Sequence, residues 1–69
     1  MMNWNEKRIL INELLIEKAN LRIMRNHYYA LSSVNSNYSP IAKNVFEKRS
    51  EELDKQIKEI EQKIKELNL

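Results

Sequence analysis

The chain has 69 residues, of which 32% are charged and 42% apolar, and its 12 basic and 10 acidic side chains leave a net charge of +2. It contains no cysteine and no glycine, which excludes disulfides, thiolate zinc sites and glycine-rich phosphate-binding loops. Its apolar runs are short, as in Ile9-Leu10-Ile11, so we predict no membrane span or signal-peptide core and expect a cytoplasmic protein. This composition is typical of a small helical chain that cannot enclose a catalytic pocket of its own.

The first predicted helix begins after Asn3, which precedes Glu6 by three residues in a typical capping arrangement. Apolar side chains then recur at alternating spacings of four and three, the pattern by which one helix packs against another. The stripe consists of Leu10, Leu14, Leu21, Met24, Tyr28 and Leu31, interrupted by Glu17. It predicts a helix over about residues 4–32.

The second predicted helix follows a loop of serine and asparagine at about residues 33–39. Ser39 and Pro40 are typical of the N-cap and the first helical position, and the helix is predicted over about residues 40–67. Its stripe consists of Phe46, Leu53, Ile57, Ile60, Ile64 and Leu67, interrupted by Ser50. Two long helices joined by a short loop predict an all-α fold, an antiparallel two-helix hairpin forming a single domain over residues 1–69.

Two sets of apolar residues bear on how this hairpin is completed. Two helices bury little apolar area, so residues outside the stripes leave homodimerisation into a four-helix bundle as an alternative to a monomer. These residues are Ile11, Leu15, Ile16, Ile23, Tyr29, Ile41 and Val45. We also expect four aromatic side chains to pack at the loop end, namely Tyr28, Tyr29, Tyr38 and Phe46.

Two residues of the second helix are unusual for their positions. Ser50 stands where the stripe calls for Leu or Ile; it is either a slim residue where the helices approach or a place where a partner comes close. Asp54 is the sole aspartate, although glutamate is the better helix former. The acids beside the stripe are Glu47, Glu51, Asp54 and Glu61. They form either a solvated face or the partners of a basic strip on the first helix, made of Lys18, Arg22 and Arg25.

The segment Ser50-Glu51-Glu52-Leu53-Asp54 resembles the Ser-Gln-Glu-Leu-Asp signature of the stage zero sporulation protein E family. Those proteins are small cytosolic helical-hairpin phosphatases of endospore-forming bacteria. The first helix is similar too, since Ile16-Glu17-Lys18 with Leu21, Arg22 and Met24 stands where the family has an Ile/Leu-rich helix with a central arginine. The resemblance covers roughly residues 11–62. The chain departs from the family at Glu51, where glutamine is usual, and in its loop, which lacks the common glycine.

The resemblance implies a phosphatase that removes the phosphoryl group from the aspartate of a phosphorylated response regulator, similar to stage zero sporulation protein A, and so represses sporulation. It implies that Asp54 is catalytic and orients or deprotonates the attacking water. The partner would be bound by Ser50, Glu51, Glu52 and Leu53. The protein would need no cofactor or metal of its own, because Mg²⁺ is expected on the partner's receiver domain.

A non-catalytic hairpin that inhibits a kinase or a transcription factor is the alternative interpretation. It would use outer apolar residues as anchors, of which Ile11, Leu15, Ile23 and Val45 qualify. Basic residues alternate with acidic ones along both helices, so we expect no nucleic-acid partner. Nor do we expect a membrane partner.

Overall fold

The computed structural model describes residues 2–68, which form two long α-helices, α1 (Trp4–Val34) and α2 (Pro40–Leu67). Side chains of α1 and α2 pair with opposite chain direction, since Arg25 contacts Asp54 whereas Lys18 contacts Glu61. The result is a thin rod measuring 53 × 14 × 11 Å, without strands in the described residues. The predicted all-α hairpin is therefore confirmed.

Both helices begin where the sequence predicts. The Asn3 side chain accepts a hydrogen bond from the backbone N–H of Glu6 at 2.8 Å. The Ser39 hydroxyl likewise accepts from the backbone N–H of Ala42 at 3.2 Å, and Pro40 occupies the first position of α2. Each cap satisfies a backbone donor that the first turn of a helix leaves unpaired.

The loop closes without any residue in the left-handed backbone region. The first helix ends at Val34, two residues beyond the predicted end, because Asn35 caps it: its side-chain amide donates to the Leu31 carbonyl oxygen at 2.8 Å. No residue between 2 and 68 has a positive φ. The connection therefore needs no glycine, which agrees with a sequence that has none.

The apolar stripe of α2 packs where the sequence predicts. Leu53, Ile57 and Ile60 are buried, and Phe46, Ile64 and Leu67 are half-buried. Ser50, the predicted interruption, is buried as well. The packed face of α2 therefore repeats at alternating spacings of four and three over its whole length.

The predicted stripe of α1 is wrong at Met24, which is 46% exposed, while its other apolar members are buried or half-buried. Glu17 is exposed, in agreement with its being an interruption of the stripe. The packed face also takes in the neighbouring positions Lys7, Ile11, Lys18, Arg25 and Ser32, which are buried or half-buried. Lys18 and Arg25 take the places expected for Glu17 and Met24 because α2 presents acids opposite them. Long basic side chains can cover apolar surface with their stems while the charged ends reach these acids.

Aromatic packing at the loop end involves two of the four expected residues. The rings of Tyr28 and Phe46 stack with centroids 6.2 Å apart, and the Arg49 guanidinium lies 5.9 Å from the Tyr28 centroid. Tyr29 and Tyr38 are 69% and 85% exposed, so the prediction that they pack at this end is wrong.

Neither helix of residues 2–68 combines the length and apolar character needed to cross a bilayer.

Candidate functional site

Asp54 lies at the middle of the rod, beside a groove between the two helices. The groove has a volume of about 300 Å³ and opens to solvent. It is lined by Arg25, Asn26, Tyr29, Ser50 and Asp54. The residues that the resemblance singles out at 50 and 54 are thus one helical turn apart on the same side of α2, and α1 completes the groove.

The Asp54 carboxylate is held by one hydrogen-bonded ion pair across the helices. Arg25 Nη1 donates to Asp54 Oδ1 at 2.7 Å, and the side chains are 30% and 48% exposed respectively. Since water reaches both groups, such a pair stabilises the fold by about 1 kcal/mol at most. Its greater effect is to fix the direction of the carboxylate.

Asn26 fixes the guanidinium that holds Asp54. The Asn26 side-chain oxygen accepts from Arg25 Nε at 3.3 Å and from Arg25 Nη2 at 3.1 Å. The planar guanidinium is therefore held along one edge by Asn26 and donates from the other edge to Asp54. Asp54 Oδ2 accepts no hydrogen bond from the chain between residues 2 and 68, and it remains available to a group from outside the protein.

The four predicted partner-binding residues fall into two pairs. Ser50 and Leu53 are each 6% exposed, in the seam between the helices. Glu51 and Glu52 are exposed, and Glu52 lies 3.7 Å from Arg49 of its own helix. In the intact hairpin the two glutamates are open to a partner, whereas Ser50 exposes only its small share of the groove and Leu53 is covered by α1.

The burial of Ser50 agrees with the interpretation that a small side chain is needed where the helices approach each other. Its hydroxyl donates to the Glu47 carbonyl oxygen at 2.7 Å, so its hydrogen-bonding donor is used within α2. A larger side chain here would have to displace α1. Leu53, one turn further on, is buried and sets the rotation of α2 that presents Asp54 to the groove.

The basic strip pairs with the facing acids at two of its three positions. Lys18 Nζ lies 3.8 Å from Glu61 Oε2, and Arg25 contacts Asp54, whereas Arg22 is exposed outside the seam. Sequence reasoning did not identify Arg25 as a site residue. The signal was present, because Arg25 follows Lys18 by one heptad and lies opposite Asp54 once the hairpin is paired.

Asn26 and Tyr29 are the other groove residues that sequence reasoning missed. Nothing in their spacing distinguishes them from other exposed residues of the first helix, and the Asn26 contact is made to its immediate neighbour. They become visible only when the rotation of α1 is known.

The arrangement can orient a small molecule but cannot enclose one. Asp54 offers a free carboxylate oxygen that can accept a proton or align a water molecule. Among residues 2–68, no three His, Cys, Asp or Glu side chains come together as a set of metal ligands. Since the groove is open, a reaction there would need a partner's surface to exclude solvent.

No protein-family model, curated protein or solved structure matches the chain.

Proposed function

We propose that the protein is a cytoplasmic phosphatase that hydrolyses the phosphoaspartate of a response-regulator receiver domain, of the kind that controls sporulation. The observation that carries the proposal is the oriented carboxylate of Asp54, with Oδ1 held at 2.7 Å by Arg25. The Ser50–Asp54 signature and its position in the second helix of a hairpin support the same assignment. A chain without its own pocket suits a substrate that is itself a folded domain.

The chemistry requires little from the hairpin. A water oxygen attacks phosphorus in line with the acyl-phosphate bond, that bond breaks, and the products are a free aspartate on the receiver and inorganic phosphate. Asp54 Oδ2 aligns the water and accepts its proton as the bond forms. Mg²⁺ bound to the receiver would offset the negative charge of the phosphoryl group.

The other signature residues act in two ways in this proposal. Glu51 and Glu52 lie on the exposed side of α2 and contact the receiver beside the phosphoryl group. Ser50 and Leu53, which are buried, keep the helices close and set the rotation of α2. They contribute to binding by placing the two glutamates and Asp54.

The test is phosphate release from a phosphorylated receiver domain with the hairpin present at far below one copy per substrate. Asp54→Asn is the informative variant because its side-chain oxygen can still accept from Arg25 while the basic carboxylate is lost. We expect its turnover to fall by about 10²–10⁴-fold. Glu61→Gln is the matched control, since it weakens the other ion pair between the helices, away from the groove. It should retain turnover.

Stoichiometry separates this function from an inhibitory hairpin. A phosphatase releases many phosphates per copy, whereas an inhibitor acts only near one copy per partner. Full turnover by a folded Asp54→Asn protein would refute the catalytic role of Asp54. If the wild type merely bound its partner without turnover, the inhibitory interpretation would replace the proposal.

A further inference from the structure

The side of α1 that faces away from α2 carries a second stripe of uncharged side chains. Its members recur at alternating spacings of three and four residues, the period by which a helix packs against another helix. They are Ile9, Asn12, Ile16, Ala19, Ile23 and Ala30, with Asn26 at the edge, where it also borders the groove beside Asp54. All seven are exposed in the single chain, so the hairpin leaves this face of α1 without a partner.

Three isoleucines form the apolar part of this outer stripe. Ile9, Ile16 and Ile23 recur every seven residues and are 57%, 63% and 68% exposed. The corresponding outer positions of α2 are different, since Ile41 is followed at the same interval by Lys48, Lys55 and Gln62. A repeated isoleucine face on one helix of a small protein indicates a contact surface rather than scattered exposed residues.

Opposite charges border the two edges of the outer stripe. Arg8 and Arg22 lie along one edge, and Glu6 and Glu13 lie along the other. Within residues 2–68, neither arginine forms an ion pair, and neither does Glu13. Each edge is therefore free to meet a surface of opposite charge.

We propose that the outer stripe binds a second copy of the chain, with the two α1 helices parallel and in register. In a parallel pair, each edge of one helix meets the opposite edge of the other. Arg8 of one copy then lies beside Glu13 of the second copy, five residues further along, and the two-fold symmetry makes this contact twice. An antiparallel pair would instead place arginine edge against arginine edge.

Asn12 of the stripe favours the same orientation. In a parallel pair in register, Asn12 faces its own counterpart, and the two amides can donate to and accept from one another. An antiparallel pair would set Asn12 against an isoleucine or alanine layer, leaving a buried amide without hydrogen bonds. The dimer would be two hairpins joined through α1, with both α2 helices on the outside.

Sedimentation equilibrium on the full chain over a range of concentrations tests the contact. We expect the mass to double as concentration rises. Ile16→Glu should shift the concentration for half-dimerisation at least tenfold upward while leaving the helical signal in circular dichroism unchanged. Ile41→Glu is the matched control, because it makes the same substitution at the equivalent outer position of α2, and it should dimerise like the wild type.

Disulfide trapping tests the orientation, since the chain has no cysteine of its own. Under mild oxidation Asn12→Cys should cross-link to itself. A mixture of Asn12→Cys with Ala30→Cys should yield pairs joined at like positions. Predominant 12-to-30 cross-links would overturn the parallel arrangement, and a wild type that stays monomeric, or an Ile16→Glu protein that dimerises normally, would overturn the contact itself.

Discussion

Replacing Arg25 by methionine should separate the stability of the hairpin from the phosphatase activity proposed for it. Arg25 and Lys18 lie seven residues apart at equivalent seam positions, and each pairs with an acid of α2. Methionine removes the charge but keeps a long, unbranched side chain in the seam. Since the Arg25–Asp54 ion pair is partly exposed, its loss lowers the free energy of unfolding by about 0.2–1 kcal/mol. The apolar methionine side chain at this half-buried position should stabilise the folded state by roughly 1 kcal/mol.

The free energy of unfolding of Arg25→Met should therefore stay within about 1 kcal/mol of the wild type. Its turnover should nevertheless fall by about 10–100-fold, because the Asp54 carboxylate loses the donor that directs it. The loss should appear in kcat rather than in KM, since the groups exposed to the receiver are unchanged. Lys18→Met alters the same kind of seam position one heptad away and should keep full turnover.

Urea unfolding followed by circular dichroism measures the first quantity, and phosphate release from a phosphorylated receiver measures the second. An Arg25→Met protein with wild-type kcat would refute the positioning role of Arg25. A loss of more than about 2 kcal/mol in unfolding free energy would refute the argument that solvent weakens this pair. Equal loss of turnover in Lys18→Met would show that the seam as a whole, not the contact to Asp54, sets activity.

Three further outcomes are expected. Ile57→Ala should lower the free energy of unfolding by roughly 2–5 kcal/mol, enough to unfold most of so small a hairpin, because Ile57 is 4% exposed. Ile41→Ala, at an exposed position, is the control, and equal urea midpoints for the two variants would contradict the packing described. Ser50→Ala should keep turnover within about threefold of the wild type, because the Ser50 hydroxyl donates its hydrogen bond within α2. A larger loss in a folded protein would mean that the hydroxyl contacts the receiver. Glu51→Gln should change the free energy of unfolding by no more than about 0.5 kcal/mol, because Glu51 is exposed. Its KM for phosphate release from the receiver measures what the charge at this position does to receiver binding, and an unchanged KM would argue against contact there.

The second helix could be predicted from the sequence almost completely, and the first could not. In α2 the apolar residues and Ser50 leave a single packing register that satisfies the spacing. In α1 two registers share Leu14, Leu21 and Tyr28, and counting apolar residues places Met24 in the packed face, where the structure has Arg25. The choice depends on acids that belong to the other helix, Asp54 and Glu61, so it cannot be made from α1 alone.

The candidate site shows the same division. Asp54 and Ser50 are recognisable from the sequence because each is an unusual residue for its place in a helix. Arg25 and Asn26 are ordinary exposed-helix residues until the rotation of α1 is fixed. The contacts that direct the carboxylate are therefore a property of the paired helices and not of the Ser50–Asp54 segment.

The hairpin pairing also sets an order in which contacts can form during folding. The Tyr28–Phe46 contact closes the shortest segment of chain, Arg25–Asp54 joins residues 29 apart in sequence, and Lys18–Glu61 closes a longer one. Loop-closure entropy rises with the length of the closed segment, so the helices zip from the loop toward the free ends. Opening from those ends breaks the Lys18 contact first. The carboxylate of Asp54 therefore keeps its arginine through fluctuations that separate the outer third of the rod.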